Sequence, residues 1–169
     1  MKENTTKVTE ILQSYRVKKR KIEQLKFELQ NPSQITAAEL LRTMAIGSSE
    51  FSTIHGSGGV SDKTMSVVAH YGEIADRMNL EALDEIKSEL RVLTNETAKI
   101  ELYVSLLKST HEHVIRLRYF EGKSWNDMEK ELDMTERWLR ELRKAAISEL
   151  VAMYGFVDAL KGKNEKEEL

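Results

Sequence analysis

The sequence predicts an all-α protein, on three observations. Only one proline and eight glycines interrupt 169 residues, so little stops a helix once it has begun. Charged residues make up 32% of the chain and apolar residues 40%, a balance that suits helices with solvated outer faces around a modest core. Apolar side chains also recur at alternating three- and four-residue spacings, the period of one helix face and not of a strand. The expected architecture is a long antiparallel, coiled-coil-like helical part at 1–107 with a Gly/Ser loop at 46–60, a three-helix domain at 108–155, and a flexible tail at 156–169.

Composition excludes several functions. The formal net charge is -2, so any contact with nucleic acid must come from a local patch and not from overall charge. The absence of cysteine removes disulfides, thiolate metal sites and cysteine nucleophiles together. No apolar run approaches the ~18 residues of a membrane span and no signal-peptide core is present, so a cytoplasmic protein without membrane contact is expected.

The first helix is predicted from Val8, Ile11, Tyr15, Ile22, Leu25 and Leu29, a heptad seam broken only by Lys18. Asn31-Pro32 closes it, because proline moves the residue before it out of the helical region. Its basic run Arg16-Val-Lys-Lys-Arg-Lys21 has two readings, a phosphate-contacting patch or the solvated face of an exposed helix with Lys18 snorkelling, and the second is the more economical. Ser33 to Met44 reads as a short second helix. The Gly/Ser loop that follows carries Phe51 and Ile54, so it should dock and not merely link.

Lys63-Thr64 superficially matches the end of a phosphate-binding loop. The match fails where a phosphate needs it, since the residue before the lysine is Asp62 and the first motif glycine falls on Ser57. The better account is a helix start, with Ser61 as N-cap, Asp62 at the positive end, and Val60 and Met65 as a hydrophobic staple. From Asp62 a helix should run to about Leu107. Its second half carries Leu83, Ile86, Leu90, Leu93, Thr97, Ile100, Val104 and Leu107 in strict three-four alternation. Its first half, with Val67, Tyr71, Ile74 and Met78, is out of phase, which predicts a stutter near Asn79. The two seams require a partner helix; they leave open whether it belongs to the same chain or to a second copy.

No catalytic constellation can be named. His111 and His113, two apart, point to different helix faces, and His55 and His70 stand alone, so neither a metal site nor a cofactor is expected. The protein is expected not to be an enzyme.

The stretch from His111 to Met153 has the plan of a helix, a short Ser124–Leu132 helix, a turn at Asp133-Met134-Thr135 and a longer helix. This is a helix-turn-helix, whose second helix enters the DNA major groove. Ser124 caps the short helix with Asp127 in the capping-box position, Trp125, Met128 and Leu132 anchor it, and Leu139 and Leu142 face the core by spacing. The run Val114-Ile-Arg-Leu-Arg-Tyr-Phe-Glu-Gly122, with Ser124-Trp125, Met128, Leu132, Met134-Thr135 and Leu139-Arg140, resembles region 4 of bacterial sigma-70-type factors, which reads the -35 promoter element. Upstream, Glu39-Leu-Leu-Arg-Thr-Met-Ala45, Ser61-Asp-Lys-Thr64 and Glu101 to Leu107 are similar to small phage or prophage late-transcription regulators of the ArpU and RinA type.

The resemblance implies that Thr135 caps the recognition helix and that Glu136, Arg137, Arg140, Arg143 and Lys144 face DNA. Arg137 and Arg140 would read base edges, since arginine bonds guanine bidentately. Trp138 would either stack on a thymine methyl or pack on the preceding helix, with partial burial preferred. Ser124, Lys123 and Arg116 are secondary phosphate contacts. The chain departs from the family pattern at Glu129, where a small residue is usual and a side chain splayed at the rim is expected. It departs again at Asp133, where glycine is usual but aspartate tolerates a left-handed backbone.

Between His111 and Leu150, eight basic residues face nine acidic ones, so grip depends on orientation and on a partner. Double-stranded DNA, RNA polymerase and a second copy in a homo-oligomer, in the first place a dimer, are the expected partners of a transcription regulator. The other reading is a structural or assembly protein of phage type, a small packaging subunit or coiled-coil adaptor, that uses the same helices as a protein interface.

Overall fold

A computed structural model of the protein describes residues 2–47 and 62–167, which form six α-helices and one π-helical turn and contain no strand. The helices are α1 (Lys2–Gln30), α2 (Ala37–Gly47), α3 (Asp62–Ser105), α4 (Ser109–Ile115), α5 (Trp125–Leu132) and α6 (Glu136–Glu167), with the π turn at Arg116–Glu121 between α4 and α5. The protein is all-α. No helix among the described residues is long and apolar enough to cross a membrane. Most of the Gly/Ser loop, the Ser61 cap and the Val60 end of the staple lie outside the described residues.

Two boundaries differ from those read in the sequence. The compact units are Met1–Glu23 with Val92–Leu169, and Gln24–Arg91, so no division falls at residue 107. The helical seams said that partners exist, not where each half of a long helix finds one. The helix α6 also continues to Glu167, through most of the stretch expected as a flexible tail; no proline stands in it to stop it.

The first unit is built on two apolar clusters. In the larger one, Val8, Leu12 and Tyr15 of α1 pack with Ile100 and Val104 of α3, Ile115 of α4, Tyr119 of the π turn, and Ala146, Ile147 and Leu150 of α6. Leu12, only 2% exposed, was not part of the expected seam, whereas Ile11 is half-buried at its edge. The smaller cluster joins Val114, Leu117, Met128 and Leu139, with Trp125, Leu132, Met134 and Leu142 around it. The π turn thus serves both clusters, Leu117 in one and Tyr119 in the other. It ends at Gly122, whose left-handed backbone (φ 77°) lets the Lys123 N–H return to the Leu117 carbonyl at 2.9 Å.

Polar side chains of α1 meet two carboxylates of α3, Glu96 and Glu101. Tyr15 donates to Glu101 at 2.5 Å, Lys18 pairs with Glu96 at 2.9 Å, and Lys19 reaches Glu101 at 3.3 Å. Lys18 therefore fills its seam position through an ion pair. Tyr15 also stacks on Phe120 with ring centroids 3.9 Å apart, so one side chain ties α1 to both α3 and the π turn. Thr97, buried in the seam, satisfies its hydroxyl by donating to the Leu93 carbonyl at 2.9 Å.

The Tyr15 hydroxyl, foremost, and then Lys19 hold the Glu101 carboxyl below the usual carboxylate range, although burial opposes them. A carboxyl with a depressed pKa in the folded state contributes stability above its unfolded pKa of about 4.3, and that stability is lost as pH falls through the lower folded value. Thermal stability is accordingly expected to decline below about pH 4.3, and Glu101→Gln should flatten this part of the profile. Melting curves across pH 3 to 7 check it; parallel profiles for the two proteins would refute the assignment.

In the second unit, α2 starts at Ala37 and not at Ser33. The reason is a capping box: the Thr36 N–H donates to Glu39 at 2.8 Å and the Glu39 N–H donates back to the Thr36 hydroxyl at 3.3 Å. At Asn79, where the α3 periodicity shifts, the side-chain amide accepts from the Ile35 N–H at 2.9 Å and donates to the Ile35 carbonyl at 3.0 Å. The inward face of this half of α3 carries buried Ala75 with half-buried Tyr71 and Ile74, whereas Val67 and Met78 are exposed.

Candidate nucleic-acid interface

The pair α5 and α6 is positioned by its caps. The Asp127 N–H donates to the Ser124 hydroxyl at 3.2 Å, and that hydroxyl donates to the Asp127 carboxylate at 2.6 Å, which holds the carboxyl below its usual range. Asp133 ends α5 in the left-handed region (φ 51°, ψ 44°), as its side chain permits. At the start of α6 the Trp138 N–H points at the Thr135 hydroxyl, at 3.4 Å. A shorter bond lies beside it: the Glu136 N–H donates to Glu129 at 2.5 Å. Glu129 is therefore not splayed at the rim. From the preceding helix it caps α6 with a carboxylate, which the positive end of the helix dipole favours.

Two helices fixed in this way present a fan of cations. At 100° per residue, Arg143, Arg140, Lys144 and Arg137 follow one another round α6 from the core-side edge outward. Arg143 is half-buried and the other three are exposed. Arg137 and Lys144 have no ion-pair partner among the described residues. Arg140 pairs with Glu136, its Nε donating at 2.7 Å, and Arg143 Nε donates to the Tyr119 hydroxyl at 2.7 Å. Glu136 thus holds an arginine in place.

Three expected site residues are placed otherwise. Trp138 is 55% exposed, so it does not pack on the preceding helix. Its position on α6 lies about 100° round the helix from Leu139, on the other side of that residue from Arg140 and Arg143. Lys123 pairs with Glu131 at 2.5 Å and Glu121 at 3.1 Å, and these carboxylates, Glu131 first, raise its pKa. Arg116 pairs with Glu112 at 2.7 Å and lies over the Phe120 ring, so both secondary contacts are already engaged with other groups of the protein. Ser124 is exposed, with its hydroxyl committed to the cap.

Two arginines that were not singled out for the site join it instead. The Arg118 guanidinium lies 4.9 Å from the Trp125 ring centroid and donates to the Lys123 carbonyl at 2.8 Å, and Arg140 is also 4.9 Å from that ring. Arg16 reaches from α1 to Gly122, where an added Cβ would overlap its guanidinium. Arg118 was legible in the Arg-aromatic run, but spacing could not choose between it and Arg116. Arg16 belonged to a basic run that resembled any solvated face.

Among the described residues, no group of three or more His, Asp or Glu side chains could hold a metal ion. Buried His111 instead faces Glu149 at 2.9 Å through Nδ1. The chain matches no protein-family model, no curated protein and no solved structure.

Proposed function

We propose that the protein is a DNA-binding transcription regulator in which α5, the Asp133–Thr135 turn and α6 act as a helix-turn-helix. One observation carries this reading: Arg137 and Lys144 stand exposed and, among the described residues, without an ion-pair partner, beside Arg140 and Arg143 on the same flank of a helix whose start is fixed by two caps. Arg137 reads a base edge, Lys144 and Arg143 lie towards phosphates, and exposed Trp138 is free to meet a thymine methyl. The residues from Val114 to Gly122 and from Met134 to Arg140, read by resemblance to sigma region 4 and to small phage or prophage late regulators, fit the same class. That resemblance adds RNA polymerase as a partner.

The coiled-coil part supplies the second grip that a weakly charged module needs. Met65, Val67, Val68 and Leu80 of α3 are exposed apolar side chains that a second copy could cover in part, which supports a homodimer. The same exposed side chains favour the second reading, an assembly protein whose helices serve only as protein interfaces.

Selection of duplexes from a random-sequence library by the full-length protein separates the two readings. The regulator should enrich a defined site, and the Arg137→Ala protein should enrich a degenerate version of it. Recovery of unselected sequence by the parent protein would favour the assembly reading.

A further inference from the structure

Four guanidinium groups converge in the first unit. Arg16 of α1, Arg118 of the π turn, and Arg140 and Arg143 of α6 line one hollow of about 410 Å³, and none of the residues lining it is acidic. Trp125 and Tyr119 form its aromatic wall: Arg118 and Arg140 each stand 4.9 Å from the Trp125 centroid, and Arg143 stands 5.7 Å from that of Tyr119. Only Arg140 has a carboxylate partner among the described residues, Glu136.

Like charges gathered round one concavity repel, and the faces of two aromatic rings offset only part of that repulsion. An anion relieves the rest. The residue type narrows the anion further, because a planar guanidinium presents paired N–H donors that match the oxygens of a phosphate, and ring stacking fixes the planes in which those donors lie. The hollow falls within the range of about 300–1,000 Å³ found for ligand sites.

We infer that Arg16, Arg118, Arg140 and Arg143 form a phosphate-binding site, and that it grips one backbone phosphate of the DNA and so makes α1 part of the interface. This inference rests on the DNA-binding reading for the source of the phosphate, but not for the site itself. It gives the N-terminal helix a part in recognition that two helices and a turn do not need. It also gives Gly122 a second role besides its positive φ, since any larger residue there pushes the Arg16 guanidinium out of the site.

The test uses the full chain and the exposed, seam-free Arg16→Gln and Arg16→Lys variants. In the first arm, duplex DNA is titrated at a series of salt concentrations. Arg16→Gln should bind more weakly by a similar factor on every sequence, with the slope of log K against log salt reduced by about 0.9, and Arg16→Lys should regain most of the slope. In the second arm, inorganic phosphate is compared with chloride at equal ionic strength in thermal melts. Phosphate should raise the melting temperature of the parent more than that of Arg16→Gln.

The failures are distinguishable. If the parent binds DNA and Arg16→Gln keeps its slope, the phosphate site is overturned while the regulator reading stands. If the parent binds no DNA but phosphate stabilises it through Arg16, the site stands, its source is a free phosphate, and the DNA reading falls. If neither DNA nor phosphate acts on the parent, both are overturned.

Discussion

Leu139→Ala is expected to destabilise the first unit by about 2–5 kcal/mol, as a fully buried leucine cut to alanine does elsewhere. Leu139 is 0% exposed and closes the small cluster with Val114, Leu117 and Met128, so it fastens α6 to α4, the π turn and α5 at once. Met128 and Met134 in the same cluster are flexible enough to fill part of the cavity, which places the cost towards the lower end of that range. Half-buried Leu142 should cost less. Both tryptophans, Trp125 and Trp138, lie in this unit, so their fluorescence during urea unfolding follows it alone. A midpoint unchanged from the parent would contradict the packing described for α6.

The second large effect concerns binding. Arg137→Ala with Arg140→Ala should weaken binding to a selected site by about 5-fold or more, since one bidentate base contact is worth about 1–3 kcal/mol and the loss of Arg140 removes a phosphate contact besides. The two residues should fail differently. Arg137 has no ion-pair partner among the described residues, so its loss should relax sequence preference at one base pair with little change in salt dependence. Arg140 stands between Glu136, Trp125 and the arginine hollow, so its loss should also reduce the salt slope and leave the Glu136 carboxylate facing phosphate. Because the residues lie one turn apart, the double variant is not expected to equal the sum of the single ones. Competition titrations with matched and mismatched duplexes measure both terms.

Sequence patterns foretold features fixed within a few residues of themselves. The Ser124 cap, the left-handed Asp133 and the burial of Leu139 depend on local backbone geometry or on a single helix face, and each was readable. Features set by distant neighbours were not. The heptad positions of α1 named a face but placed Ile11 in the seam and missed Leu12, because two adjacent apolar residues share that edge. The Thr36–Glu39 capping box, a local signal, starts α2 at Ala37 and leaves Ser33 outside it.

Glu129 is out of place by local pattern alone, and its carboxylate accepts from the Glu136 N–H, a contact between residues on different helices. Arg116 and Arg118 sit two apart in one run; the π turn, with no sequence signal of its own, accompanies the pairing of one with Glu112 and the placing of the other on Trp125. Arg16 was the least visible. On an isolated helix it is an ordinary exposed cation, and only the return of the chain at Gly122 gives it neighbours.

The central claim is that an oriented arginine face, on a chain of net charge -2, grips duplex DNA. The most direct measurement is the affinity of the full-length protein for duplex DNA by fluorescence anisotropy between 50 and 200 mM salt. The account predicts binding whose log K falls linearly with log salt with a slope of about -0.9 per phosphate contacted, and therefore a slope of several units for a dimer. Absence of binding at 50 mM salt, or an affinity indifferent to salt, would contradict it.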